Sequence, residues 1–162
     1  MKFLIEYTGQ TEQRILTYNI SEFSFDIEPS VQFIDFDIVV NKLNLTVVDY
    51  HKVTQVWGYC GLSHSIKSNY EVPKYKKGGL KIIDDFKPGF SYRLTNEDFP
   101  IYVNTKTGWI CIGNPLKLGN AVEFINNCVA VIDEDKEFVA LWLKPRILPA
   151  TKTLEDFYSK VL

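Results

Sequence analysis

The sequence has few of the residues that build metal sites, disulfide scaffolds and proton relays. It contains two histidines, His51 and His64, and three cysteines, Cys60, Cys111 and Cys128. Asp49 stands two residues before His51, but no HxH, HxxxH or HExxH spacing is present, so no metal site is expected. An odd cysteine count without CxxC excludes a disulfide framework and a zinc ribbon. Three reduced thiols, packed as small hydrophobes in the cytosol, are the expectation. No apolar run approaches the roughly 18 residues of a membrane span. Glu6 interrupts the N-terminal apolar stretch too early for a signal peptide. A cytoplasmic chain without membrane contact is therefore expected. GxGxxG, P-loop and GxSxG patterns are missing, and no cofactor is expected. An excess of positive charge is missing too. The net charge is −2 and the pI about 5.7, which argues against a nucleic-acid binder.

What is present is sheet-forming sequence. The 162 residues are 46% hydrophobic, 23% charged and 14% aromatic, an ordinary globular composition of a size that suggests one domain over residues 1–162. Frequent β-branched residues, Phe and Tyr favour strands over helices. The plainest segment lies between Asn120 and Pro145. It reads AVEFIN, NCVAVI, then the polar DEDKE, then FVALWLKP. Ala121–Ile132 and Phe138–Leu143 are apolar on successive residues, which predicts a hairpin near a sheet centre with both faces covered.

The rest of the chain reads mostly as strands joined by polar turns. Lys2 to Tyr7 is predicted as a strand paired with Arg14 to Ile20 across a Thr8–Gln10 turn. Phe23 to Glu28 alternates, with Phe23, Phe25 and Ile27 on one face. Val31 to Val40 is the longest candidate strand, its inner face made of Ile34, Phe36, Ile38 and Val40, returning as Leu43 to Val48. Val53 to Tyr59 is another. Leu62 to Gly79 has no period and contains Pro73 and Gly78–Gly79, so it reads as a long connection of the functional or mobile kind. Ile101–Val103 and Trp109–Ile112 form a hairpin closed at Gly108. Thr153 to Leu162 is predicted as one short helix capped by Thr153, docking Leu154, Phe157, Tyr158 and Val161. The absence of a βαβ rhythm predicts a mainly β fold. Its antiparallel sheets form a sandwich or a curved half-barrel, with a short C-terminal helix.

Four groups of residues bear on function. Cys60 and His64, four apart after a strand, suggest a thiol activated by imidazole, the basis of a Cys/His hydrolase or transferase reading. A buried Cys beside a surface His is the plainer interpretation. Tyr70 to Gly79 mixes lysines with tyrosines, a pattern for stacking and phosphate contact that an ordinary solvated loop also shows. A pocket beneath the Leu62–Gly79 connection would make the chain a ligand-binding β domain. Trp57, Trp109 and Trp142 lie among apolar neighbours, and at least two are expected in the core. Carboxylates gather at three turns: Asp84–Asp85, Glu97–Asp98, and Asp133, Glu134, Asp135 and Glu137. No EF-hand pattern accompanies them. They are solvated turns, or rims that face a basic partner.

The stretches VTQVWGYCG (Val53–Gly61), NTKTGWICIGN (Asn104–Asn114) and EFVALWLKP (Glu137–Pro145) are aromatic strands joined by polar turns. In size, acidity and style the chain resembles the small immunity proteins of bacterial contact-dependent growth inhibition and related polymorphic toxin systems. The resemblance implies a non-enzymatic cytoplasmic protein. It would bind a cognate, basic toxin domain, often a nuclease, and neutralise it. Nucleic acid and membrane are not among the implied partners.

Overall fold

The structure, a computed structural model, describes the backbone of residues 1–161 and the side chains of residues 1–159. In chain order the first strands are β1 (Phe3–Glu6), β2 (Ile15–Asn19), β3 (Ser24–Glu28), β4 (Phe36–Val40), β5 (Leu43–Val48) and β6 (Lys52–Tyr59). Short strands follow: β7 (Ile66–Lys67), β8 (Lys76–Lys77), β9 (Gly79–Ile82), β10 (Ser91–Arg93) and β11 (Ile101–Val103). The last are β12 (Ile110–Gly113), β13 (Asn120–Ile125), β14 (Cys128–Ile132), β15 (Phe138–Leu143) and β16 (Arg146–Leu148), before helix α1 (Leu154–Val161).

The strands form two sheets, neither of them closed into a barrel. One has seven strands in the order β7-β11-β12-β15-β14-β13-β8. The other has nine, with the path β10-β4-β5-β6-β3-β2-β16 and a branch in which β9 joins β6 to β1. The branch forks the sheet. One edge of β6 meets β9 at Lys52 and β3 only at Gly58 and Tyr59. Glu12 lies near this fork, paired with Lys52 at 2.8 Å.

Period-two alternation assigns the layers. Ile110, Ile112, Ala130, Ile132, Leu141 and Leu143 point from the seven-stranded sheet into a core shared with Phe25, Ile38, Leu45 and Val56 of the other sheet. The intervening Cys111, Val129, Val131, Ala140 and Trp142 form a second apolar layer on the far face, together with Trp109. Each large side chain so buried contributes roughly 1.5–3 kcal/mol. The nine-stranded sheet has only one apolar face. Its outer face carries polar residues such as Asp26, Asp37 and Thr46; the half-buried Trp57 donates to Thr46 (2.9 Å) and Thr46 to Asp37 (2.7 Å).

The second apolar layer needs a cover, and the long connection supplies it. The chain leaves one edge of the seven-stranded sheet as β7, beside β11, and returns at the opposite edge as β8, beside β13. Six strand spacings of about 4.8 Å make about 29 Å, and nine residues at about 3.3 Å span about 30 Å. The segment between Lys67 and Lys76 is therefore a taut strap. Tyr70 and Val72 pack on the layer beneath, Tyr70 stands edge-on to Tyr102, and the Asn104 side-chain amide donates to the Tyr70 carbonyl at 3.1 Å.

The Ile101–Val103 hairpin and the C-terminal helix form as the sequence predicts. Gly108 sits at φ 86° and closes the first. At the helix start, Asp156 N–H donates to the Thr153 hydroxyl and Thr153 N–H to the Asp156 carboxylate, a reciprocal cap. Leu154, Phe157 and Tyr158 are buried, whereas the Val161 side chain lies outside the described residues.

Other expectations are corrected. Arg14–Ile20 does not pair with the first strand: β2 pairs with β3 and β16, and β1 with β9. The reason is that the chain between β1 and β2 does not turn back but runs along β13, with hydrogen bonds between Glu12 and both Phe124 and Asn126. Ala121–Ile132 is two strands, folded at Asn126–Asn127, where Asn127 accepts φ 63°. The sheets are antiparallel only in their interiors. The four outermost strands, β7, β8, β10 and β16, each add in parallel. Finally, β4 begins at Phe36, not Val31, which leaves Ile34 in solvent. Asp35 stops the strand by dispersing its bonds: its N–H goes to Val47, its carbonyl to Gly89, and its carboxylate to the Tyr50 N–H at 2.5 Å.

Candidate partner-binding surface

The β14–β15 turn is shaped by one carboxylate. Asp133 Oδ1 accepts the N–H groups of Asp135 and Glu137, both at 2.9 Å, and Oδ2 accepts Lys117 Nζ at 3.0 Å. These bonds, that from Glu137 first, hold the Asp133 carboxyl below the usual carboxylate range. Lys117 is raised in return, chiefly by its bond to Asp133. Asp133 is therefore turned inward and buried, not at the surface, because it satisfies the backbone of its own turn. Glu134, Asp135 and Glu137 project into solvent from the scaffold it makes.

Lys2 joins this turn to a second one. Its N–H donates to Asp84 Oδ2 at 2.7 Å, while its Nζ reaches Glu137 Oε1 at 3.1 Å and the Asp135 carbonyl at 2.9 Å. The Phe3 N–H adds a bond to the Lys136 carbonyl. Two turns far apart in sequence thus share one end of the molecule, with Asp85 exposed beside them. The same end holds the start of β4, where Asp35 binds Tyr50 and Gly89. It gathers Asp35, Asp49, Asp84, Asp85, Asp133, Glu134, Asp135 and Glu137 against Lys2, Lys87, Lys117 and Lys136. The whole chain carries −2, so the negative charge is concentrated here. Lys52 and Lys81, just inside, are paired with Glu12 and Glu6.

The third acidic turn lies elsewhere. Asn41, in the β4–β5 turn, exchanges hydrogen bonds with the Phe99 backbone at 3.0 and 2.8 Å, which places Glu97 and Asp98 at the opposite end of β4. Both are exposed, and Asp98 accepts from Arg93 at 3.3 Å.

Asp98 instead joins Cys60 and His64 around a cavity of about 340 Å³. The three residues share a wall, yet among the described residues no hydrogen bond links them. Cys60 is 4% exposed, and burial pushes its thiol up to about 12. Its N–H and carbonyl are bound to Phe23 and Tyr18. Cys60 is thus a buried, neutral thiol with no hydrogen-bonded base among the described residues, and His64 stands in solvent. His51 Nδ1 lies 3.1 Å from the Ile82 carbonyl, and among the described residues no cluster of three metal-ligating side chains occurs. Nor is any described helix long and apolar enough to cross a membrane.

The connection from Leu62 to Gly79 seals directly onto the second apolar layer. The connection also forms one wall of a surface cleft of about 670 Å³, where Val72–Lys76 face Tyr7 and Gly119–Ala121. The lysines of Tyr70–Gly79 sit partly in β8 at the sheet edge, where Lys76 lies over the Tyr7 ring.

Sequence reasoning missed the exposed apolar side chains of the acidic end. Leu116 and Leu118 flank the Lys117 that binds Asp133, and Phe33, Ile34, Tyr50, Ile83 and Phe90 surround Asp35 and Asp84. The sequence signal lay in turn residues. Pro29–Ser30 and Pro88–Gly89 lie close to Phe33 and Phe90, so neither aromatic had to be in a strand. Comparison with protein-family models gives no match, and comparison with curated protein sequences gives no relative.

Proposed function

We propose that this chain is an immunity-type inhibitor that binds a basic toxin domain in the cytoplasm and neutralises it by occupying its functional cleft. The observation that carries this reading is the joining of two acidic turns by Lys2 on one end of a rigid β scaffold. A concentrated rim of carboxylates steers association with a basic surface, and a nuclease cleft built for phosphate is such a surface. Glu134, Asp135, Asp85 and Asp49 are the exposed carboxylates of this end open to the partner, since Asp84 and Glu137 are engaged by Lys2 and Asp133 by its own turn. Three unpaired buried thiols suit a reducing compartment. The test is to express the product of the gene beside this chain's own, titrate it calorimetrically and assay its toxicity in the complex; a neighbour that encodes no toxin counts against the proposal. A tight complex with suppressed toxicity is expected. A toxin domain that neither binds nor is inhibited overturns the proposal.

A further inference from the structure

The acidic end also displays apolar side chains that a soluble surface normally hides. Phe33 is 83% exposed, Phe90 60%, Tyr50 56%, Ile34 51% and Ile83 43%. Asp35 binds together the segments that carry four of them, through its bonds to Tyr50 and Gly89 and its adjacency to Ile34. Ile83 joins from β9, where the Ile82 N–H bonds to the His51 carbonyl beside Tyr50. With aromatic side chains of about 150–250 Å² each, these exposures sum to on the order of 500 Å² over neighbouring segments. That is the size of the largest apolar patch on a typical monomer, a patch that is often functional. The borders of this ridge carry Asp49, Asp84 and Asp85, with the exposed Lys87 between Asp85 and Phe90.

We infer that the Phe33–Phe90 ridge is the apolar anchor of the partner interface, fitted to a basic protein domain whose lysine or arginine side chains ring an apolar pocket. This rests on the proposed function and adds where, and through which chemistry, the partner is held. Large aromatic side chains at the centre of a polar rim are the usual carriers of binding energy, while rim charges govern encounter. A second copy of this chain is the wrong occupant, because pairing two ridges would bring two acidic borders face to face. A basic partner meets the ridge and the border together.

The test uses Phe33→Ser and Phe90→Ser in the full chain. Both side chains stand in solvent, so melting at the wild-type temperature is expected and checks the fold. Titration against the adjacent toxin domain is expected to show about tenfold or weaker affinity for each variant, with the salt dependence of binding retained. Sedimentation is expected to show the free wild-type chain as a monomer. Wild-type affinity in both folded variants overturns the inference while leaving the proposed function intact. A concentration-dependent dimer that Phe33→Ser disperses overturns it in favour of self-association. A wild-type chain that does not bind the toxin domain at all overturns both.

Discussion

The two sheets bury their strands differently. The seven-stranded sheet is covered on both faces, by the nine-stranded sheet on one side and the strap on the other. Its inner strands read ICIG, CVAVI and FVALWL, buried almost throughout. The nine-stranded sheet keeps one wet face, and its strands alternate, as in SFDIE and FDIVV. A strand's sequence reports how many of its faces are dry. It does not report which strand lies beside it.

The sharpest way to break this comparison is to place a charge in each sheet. Trp142→Asp puts an unpaired carboxylate in the layer beneath the strap and should cost about 4–5 kcal/mol or more. Thr17→Lys, on the outward face of β2 and opposite Asp26, should change stability by less than about 0.5 kcal/mol. Urea unfolding of both variants measures the difference. Similar losses would mean that the outer face of the seven-stranded sheet is not sealed.

The strap's attachment offers a finer test, because two adjacent glycines stand in different surroundings. A Cβ at Gly78 would lie 2.2 Å from the Glu6 carbonyl oxygen, whereas one at Gly79 meets nothing within 4 Å. Gly78→Ala should therefore cost about 1–3 kcal/mol, since backbone cannot yield as a flexible side chain does. Gly79→Ala should be nearly neutral. Amide exchange in Tyr70–Lys77 should accelerate in the first variant only.

How much of this was legible follows the same division. The apolar character of 121–132 and 138–143, the Thr153 cap and the Gly108 hairpin rest on local patterns and appear, but the fold of 121–132 into two strands at Asn126–Asn127 was not read. Strand partners rest on long-range docking. Nothing near Phe3–Glu6 says that it pairs with Gly79–Ile82. The strap was invisible for a related reason: its strands have two residues each, and Tyr70 and Val72, which pack on the layer beneath, make too short a run to show a period. At the candidate site the carboxylates could be read, but their grouping could not, because Lys2 joins them through tertiary contacts. The inward turn of Asp133 was in principle readable, since Asp before a tight turn commonly binds the following backbone N–H groups.

Smaller effects should appear with pH, and they differ between core and tip. Burial pushes the Cys60 and Cys111 thiols up to about 12, and Cys128 is raised as well. The unfolded chain ionises these thiols first, so this stability is whole below pH 9 and is lost as pH rises toward 12. At pH 10 the Cys60 and Cys111 thiols should each account for about 1 kcal/mol. The depressed Asp133 acts in the opposite direction: its stabilisation is present above the ordinary carboxylate range and disappears as pH falls through its lowered value. Urea midpoints at about pH 2, 7 and 10 should show Cys111→Ala relieving the alkaline limb and Asp133→Asn flattening the acid limb.

The central claim is that the end joined by Lys2 meets a basic partner. Its most direct measurement is titration of the neighbouring gene's product at two salt concentrations, with the wild-type chain and with Glu134→Ser/Asp135→Ser. Asp133 is kept, since it builds the turn. The account predicts affinity that falls with added salt, and a folded double variant that binds more weakly and with a shallower salt dependence. Affinity indifferent to both salt and the double substitution would contradict it.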